Sequence, residues 1–150
     1  MKRSMTLTLA GALLLGGYVL QLGLHAAQEP QKKPFAVEYY YTVKWGHFSE
    51  FMELYKRNHY PILKKLQEQG DIVEMMAAYP RHHSGEGSRW DFRFTIVWKD
   101  VEVAHKDRGT ALAEELYPDQ EKFEQEEQRR FELLLEHMDI PIVEDDLADW

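Results

Sequence analysis

The run from Arg89 to Lys99 constrains the fold more than any other part of the sequence. Large apolar residues occupy every second position, namely Trp90, Phe92, Phe94, Ile96 and Trp98. The positions between them hold Arg89, Asp91, Arg93, Thr95, Val97 and Lys99. A period of two with aromatic and β-branched residues is typical of a strand that has one face on a core. The chain therefore needs a sheet with one apolar face and other elements to cover that face.

A weaker alternation predicts a first strand from residue 35 to 44. Its better-buried face would hold Phe35, Val37, Tyr39, Tyr41 and Val43. After Gly46, apolar residues recur every three or four positions and predict a helix. These residues are Phe48, Phe51, Met52, Tyr55, His59, Ile62, Leu63 and Leu66. Pro61 removes one backbone donor inside this helix and is expected to kink it near Arg57. Gly70 is expected to cap the helix, and Asp71 to Tyr79 is predicted as another strand.

Two further helical stretches are predicted, from Val101 to Leu116 and from Asp119 to Met138, with Pro118 between them. The second of these predicted helices carries a stripe of residues at helical spacing that is apolar except for Glu127. It consists of Phe123, Glu127, Phe131, Leu134, Leu135 and Met138. Ile140 to Val143 is predicted as a short closing strand, which Pro141 would confine to a sheet edge. The order β-α-β-β-α-β predicts an α+β fold of ferredoxin-like topology, an antiparallel sheet with helices on one face.

The N-terminal segment has the charge order of a secretory signal peptide. Lys2 and Arg3 are basic, the stretch from Ser4 to Gln28 holds no charged residue, and small residues close it. We therefore predict a signal peptide at 1–27 and a periplasmic or secreted protein that leaves the membrane after cleavage. The alternative is an uncleaved membrane anchor, since the uncharged stretch is nearly long enough to span a bilayer. The remaining chain divides into a linker at 28–34, one domain at 35–144 and an acidic tail at 145–150.

Composition excludes several classes of function. The net charge is −8, which argues against binding to nucleic acid. The sequence has no cysteine, so disulfides, thiolate nucleophiles and cysteine-ligated metals are excluded. The nucleophile-elbow, Walker, dinucleotide-binding and zinc-protease motifs do not occur either.

The first helix carries a short motif in which an aromatic residue precedes His-x-Pro-Leu by four positions. Here it consists of Tyr55 followed by His59-Tyr60-Pro61-Ile62, with Tyr where Trp is common and Ile where Leu is common. In this motif and in topology the chain resembles the dimeric α+β barrel superfamily, in its EthD-like and NIPSNAP-like branches. The resemblance implies a homodimer that pairs sheet to sheet, with a pocket between each sheet and its first helix or within the barrel. It implies no single activity, because the superfamily includes cofactor-free monooxygenases, isomerases, cyclases, haem enzymes and proteins of no known activity.

His59 is the first candidate for chemistry, because it shares a helical stripe with Tyr55. A histidine there could act as general acid or base near neutral pH, or could bind haem or a metal. The plainer interpretation is a histidine at the rim of the core, hydrogen-bonded to the carbonyl that Pro61 leaves without a donor. No resident cofactor is predicted, although haem and metal stay open.

A second candidate is the polar face of the sheet, where polar side chains at every second position of neighbouring strands would lie on the same side. On this basis we predict a polar patch made of Glu38, Tyr40, Thr42, Asp91, Arg93, Thr95 and, from the second strand, Glu74. Arg93 could hold a substrate carboxylate in a bidentate pair. The alternative is a polar face buried at a dimer interface, with Asp91 and Arg93 in a network of ion pairs.

The loop from Pro80 to Ser88 offers a weaker metal hypothesis, since His82 and His83 lie near Glu86 and could hold copper or zinc. The segment from Arg81 to Arg89 could also form a mobile lid over a pocket.

The leading functional hypothesis is an exported protein that binds a small organic molecule in a pocket near His59, with Tyr55, Glu38, Asp91 and Glu74 as the candidate binding residues. One alternative is a cofactor-independent isomerase, cyclase or monooxygenase, with His59 as acid–base and Arg93 or Tyr40 as the orienting group. The other is a structural or interaction module without a ligand.

Overall fold

The computed structural model describes residues 32–82, 84–143, 145 and 148. The predicted signal peptide and most of the linker and acidic tail lie outside these residues, as does His83. Within the described part of the chain, no helix combines the length and the apolar character needed to cross a membrane.

Four strands form one antiparallel sheet. They are β1 (Phe35–Val43), β2 (Ile72–Ala78), β3 (Phe92–Trp98) and β4 (Leu134–Ile142), in the order β2-β3-β1-β4. Every neighbouring pair is antiparallel. This order, with the crossovers between the strands, is the ferredoxin-like topology, and it confirms the predicted α+β fold.

The two alternating sequence runs form the centre of the sheet. In the register of β1 and β3, Tyr41 lies opposite Phe92 and Tyr39 opposite Phe94, on the side that the helices cover. Tyr41 contacts Phe51 of the first helix, with ring centroids 5.4 Å apart. The other side of the sheet is called the open face below. It includes Ala36, Glu38, Tyr40, Met76, Arg93, Thr95, Val97, Met138 and Ile140.

The first helical region has three parts: α1 (Phe48–Leu54), a π-helical turn (Tyr55–His59) and α2 (Tyr60–Glu68). The π-helical turn lies just before Pro61, at the place where the sequence predicts a kink. The hydroxyl of Tyr117 donates to the carbonyl of Arg57 at 2.9 Å and to that of Asn58 at 2.8 Å. The carbonyl without a backbone donor is therefore satisfied by Tyr117, and the predicted hydrogen bond from His59 is wrong.

Gly70 ends α2 as predicted. Its φ is +78°, a conformation that residues with a Cβ rarely adopt. Gly70 donates its N–H to the carbonyl of Gln67 and Asp71 donates to that of Leu66, each at 3.0 Å. These two bonds form a Schellman-type end that turns the chain into β2.

The C-terminal half departs from the predicted helices. The stretch from Val101 to Leu116 is not one helix but two, α3 (Val101–Ala104) and α4 (Gly109–Leu116). Between the two helices, the Asp107 carboxylate accepts from the N–H and the hydroxyl of Thr110 near the start of α4.

The next helix, α5 (Gln120–Glu132), stops well before Met138. The residues after it form β4, which pairs along nearly all of β1, so the predicted strand at 140–143 is too short. Pro141 does lie on an edge strand, as predicted. The predicted apolar stripe of α5 is wrong beyond its first half, because Phe131 and Leu135 are about half exposed, at 50% and 55%.

Candidate functional site

A largely apolar cavity lies between the first helical region and the β2 edge of the sheet, and is called the helix–sheet pocket below. Its volume is about 310 Å³. Its lining consists of Met52, Tyr55, Lys56, Tyr60, Gln67, Met75, Ala77, Tyr79, Phe92 and Phe94. The resemblance implies a pocket between the sheet and its first helix or within the barrel, and this cavity lies at the first of these two positions.

Strand alternation explains why this cavity exists. Met75 and Ala77 lie opposite Ile96 and Phe94, so they point to the helix side of the sheet. Because Ala77 carries only a methyl group on this side, the space beside Tyr60 stays unfilled. Besides the tyrosine hydroxyls, the polar groups of the lining come from Lys56 and Gln67, both exposed.

A second cavity, called the loop pocket below, lies at the end of the sheet where β3 begins. It has a volume of about 250 Å³. Its lining consists of Trp45, Phe48, Tyr79, Pro80, Arg81, His82, Ser84, Arg89, Trp90 and Asp91. Tyr79 lines both cavities, so they adjoin.

Arg89 is the fixed centre of the loop pocket. Its side chain is only 6% exposed, and it pairs with Asp91 at 3.0 Å and with Glu86 at 3.0 Å. It also donates to the carbonyl of Val43, and its guanidinium lies 3.7 Å from the ring centroid of Trp45. Asp91 raises the pKa of Arg89 further by accepting its hydrogen bonds. Because its donors are used in this way, Arg89 stiffens the pocket wall.

Tyr55 lies where the ligand-binding prediction places it, on the wall of the helix–sheet pocket. Its hydroxyl is buried beside the aromatic core and makes no hydrogen bond of normal geometry. Burial raises its pKa, so the phenol stays protonated.

His59 is outside the lining of both cavities and lies on the far side of Tyr55, toward α5. Its ring centroid is 5.1 Å from that of Tyr55. Its Nδ1 lies 3.9 Å from a Glu127 carboxylate oxygen, beyond hydrogen-bond distance. Glu127 instead holds the buried Arg130 in a bidentate pair, with N···O distances of 3.0 and 2.7 Å.

The environment of His59 keeps its imidazole neutral. Burial lowers its pKa, and the positive charge of Arg130 and the nearby His137 lower it further. His137 stacks on Tyr41, and its own pKa is lowered mainly by burial. A neutral imidazole can accept a proton, but Tyr55 separates this one from the helix–sheet pocket. The sequence places the pocket near His59, whereas the helix–sheet pocket is lined by Tyr55 and not by His59.

On the open face, the structure brings three of the predicted residues together. The hydroxyl of Tyr40 donates to a Glu38 carboxylate oxygen at 2.6 Å, and Arg93 pairs with the other oxygen at 3.0 Å. The hydrogen bond to Glu38 raises the pKa of Tyr40. The predicted orienting groups Arg93 and Tyr40 therefore both bind Glu38, and Arg93 would have to leave this pair to hold a substrate carboxylate.

The other predicted residues of the polar patch do not join this cluster. Asp91 accepts from the N–H of Val43 at 2.8 Å and pairs with Arg89, so it serves the loop pocket. Thr42 is buried and donates to the carbonyl of Arg89. Glu74 is exposed on the edge strand β2, opposite Val97.

Sequence reasoning missed most of the lining of the two pockets. Met75, Ala77 and Tyr79 follow one another with a period of two, and this alternation could have identified the helix-facing side of β2. No local pattern places Lys56 or Arg81, because their position depends on how the first helix and the loop pack. In the described part of the chain, no three His, Asp or Glu side chains are grouped closely enough to hold a metal.

Comparison with known proteins gives structural neighbours only. No protein-family model matches the sequence, and no curated protein matches it. One similar solved structure is a dimeric ferredoxin-like protein from an uncultured marine organism, 6% identical, with a TM-score of 0.48 over 78% of this chain and 94% of that one. Another is a dimeric ferredoxin-like protein of unknown function from Jannaschia sp., 10% identical, with a TM-score of 0.46 over 75% and 100%.

A NIPSNAP family protein from Agrobacterium tumefaciens is also similar. It is 10% identical, with a TM-score of 0.44 over 77% of this chain and 96% of that one. The chain is thus similar to dimeric ferredoxin-like proteins and to a NIPSNAP family protein.

Proposed function

We propose that this protein binds a small, mainly apolar organic molecule in the helix–sheet pocket. The observation that carries the proposal is the pocket itself, a cavity of about 310 Å³ walled mainly by aromatic and methionine side chains, with Lys56, Gln67 and the tyrosine hydroxyls as its polar groups. Ligand sites are typically concave, of this size or larger, and mostly apolar with a few polar groups that fix orientation. The position between the first helix and the sheet is also the one that the family resemblance implies.

The proposal includes export and self-association. Export is supported by the basic, uncharged and small-residue segments of positions 1–27. Association through the open face is supported by its exposed apolar residues, since Met76 is 50%, Ile140 41% and Met138 37% exposed. A second copy of the chain would cover these residues and leave the helix–sheet pocket accessible on the other side of the sheet.

The test uses a neutral fluorescent apolar probe, N-phenyl-1-naphthylamine, and a substitution that fills the cavity. Ala77→Phe places a ring in the unfilled space and should weaken probe binding about tenfold or more, because the ligand loses its apolar contact area. Ala77 is exposed, so the added ring does not overpack the core. The matched control is Ala111→Phe, the same change on the exposed surface of α4, which should leave binding unchanged.

Methionine methyl NMR locates the probe within the same experiment. Met52 and Met75 line the helix–sheet pocket, whereas Met76 and Met138 lie on the open face. We expect the probe to shift the first pair only. Equal binding to both variants, or shifts confined to the open-face methionines, would refute the proposed site.

A further inference from the structure

The helix–sheet pocket and the loop pocket share one wall and can accommodate one ligand. Tyr79 lines both cavities and is half exposed, at 52%. Its ring packs on Phe92 at 5.3 Å and edge-on to Phe48 at 6.2 Å, between ring centroids. An elongated molecule lying against Tyr79 would therefore reach from one cavity into the other.

The charge of the lining is opposite to the charge of the whole protein. The chain has 26 acidic and 18 basic residues and a net charge of −8. The two linings together contain Lys56, Arg81 and Arg89 but only one carboxylate, that of Asp91. An excess of positive charge around a cavity in an acidic protein favours an anionic ligand.

Two of these cations, Lys56 and Arg81, have no ion pair among the described residues, and Arg81 is the one that lies beside the aromatic side chains of the loop pocket. Arg89 is held by Asp91 and Glu86, as described above. No residue that the structure describes forms an ion pair with Arg81, which is exposed at the mouth of the loop pocket. Arg81 can therefore offer its planar guanidinium to a carboxylate or a similar anion.

The loop pocket also selects for the shape of the ligand body. Four of its lining residues are aromatic: Trp45, Phe48, Tyr79 and Trp90. Aromatic faces pack favourably against flat rings, with an attraction beyond that of area burial alone. The lining thus favours a planar aromatic body over a bulky aliphatic one.

We propose that the ligand is an aromatic anion that spans the two cavities, with its ring system packed against Tyr79, between the helix–sheet pocket and the aromatic side chains of the loop pocket, and with its acidic group at Arg81. This rests on the proposed function and specifies the chemical class for that site. Lys56, at the opposite mouth, adds to the positive potential without contacting the acidic group.

The test compares two probes that differ only in charge, 2-naphthoate and its neutral methyl ester. We expect the anion to bind about tenfold more tightly at low ionic strength, because it gains a charge-assisted contact with Arg81. Arg81→Gln should abolish this preference and leave binding of the ester unchanged. Lys64→Gln removes one positive charge from the exposed surface of α2 and should leave the preference intact. High ionic strength should reduce the preference in the native protein.

The outcomes separate this inference from the proposed function. If both probes bind equally and Ala77→Phe weakens both, the pocket is a ligand site and the anion assignment is wrong. If the preference survives Arg81→Gln, the role of Arg81 is refuted. If neither probe binds the folded protein, both the site and the ligand class fail.

Discussion

Among single residues, Tyr117 has an unusual structural role, because its hydroxyl serves two carbonyls of another helix. It donates to Arg57 and Asn58 at the π-helical turn, where Pro61 supplies no N–H. Tyr117→Phe should lower the free energy of unfolding by about 1–2 kcal/mol, since partly buried carbonyls lose their donor. Urea unfolding measures this loss.

Tyr60→Phe is the control for that substitution, because it removes a hydroxyl from an exposed ring of the same helical region. Its effect should stay within about 0.5 kcal/mol. Equal effects of the two substitutions would mean that Tyr117 stabilises the turn through its ring packing on Phe123 and not through its hydroxyl.

His59 makes stability depend on pH. Its pKa in the folded protein is lowered by burial and by Arg130 and His137, so the unfolded chain binds a proton at a higher pH than the folded chain does. The free energy of unfolding is therefore highest above the unfolded pKa of about 6.5 and falls as pH drops below it. We expect a loss of about 1 kcal/mol from His59 between pH 7.5 and 5.5.

Urea unfolding at these two pH values checks this prediction. His59→Gln should reduce the difference between them, and His105→Gln, which replaces an exposed histidine of the loop between α3 and α4, should not. An unchanged pH difference in His59→Gln would place the titrating group elsewhere, with His137 as the next candidate.

The residue pattern of the sequence predicted some members of the candidate site and missed others. Tyr55 was predicted because helical spacing alone puts it against the sheet, and it lines the helix–sheet pocket. Helical spacing does not determine toward which neighbouring element a residue of the apolar stripe points. His59 was therefore assigned to the pocket, although it faces α5. The Glu38–Arg93 pair follows from the alternation of side chains along the strands, which puts both residues on the open face. The ion pair between Asp91 and Arg89 depends on the path of the chain before β3, which this alternation does not predict.

At the level of secondary-structure elements, the end of α2 depends on one glycine. Gly70 has φ +78°, and a Cβ there would meet no atom within 4 Å. The cost of Gly70→Ala is therefore conformational only, and we expect about 1 kcal/mol of destabilisation. Gly87→Ala is the matched control, because its site is equally open and lacks the positive φ; it should be neutral or slightly stabilising.

Thermal unfolding of both glycine variants measures the comparison. Similar losses for the two would show that the left-handed turn is not what Gly70 provides. The sequence was sufficient for this element, since a glycine after a periodic apolar run is a strong signal for a helix end.

The element that the sequence misassigned is β4. Leu134, Leu135 and Met138 continue the helical spacing of α5, so local pattern favours a longer helix. The free edge of β1 offers hydrogen bonds to a nine-residue partner, and the N–H of Lys44 donates to the carbonyl of Leu133 at 2.8 Å where the strand begins. This strand pairing joins segments that are far apart in the sequence, and it overrides the helical periodicity of the short stretch after α5.

At the scale of the whole molecule, the open face carries the exposed apolar residues on which the proposed self-association depends. Exposed apolar residues of β2 and β4 flank the central Glu38–Arg93 pair, and such a face is typical of a buried interface. The sheet topology could be predicted from the alternation of apolar residues in the strands and from the order of strands and helices along the chain. The partner of the open face could not, because a period of two identifies two faces of a strand without stating what covers each of them.

Replacing an apolar residue of this face by a charged one tests self-association. In a sheet-to-sheet dimer, Ile140→Lys would bury an unpaired ammonium group, which costs several kcal/mol. The native protein should sediment as a dimer of a 17.8 kDa chain, less any cleaved signal peptide, and Ile140→Lys as a folded monomer. Val101→Lys carries the same change on α3, at a residue 47% exposed, and should remain a dimer. A native protein that sediments as a monomer at high micromolar concentration would contradict the sheet-to-sheet dimer.

Binding of the apolar probe would then still test the helix–sheet pocket, since the residues that line it come from one chain.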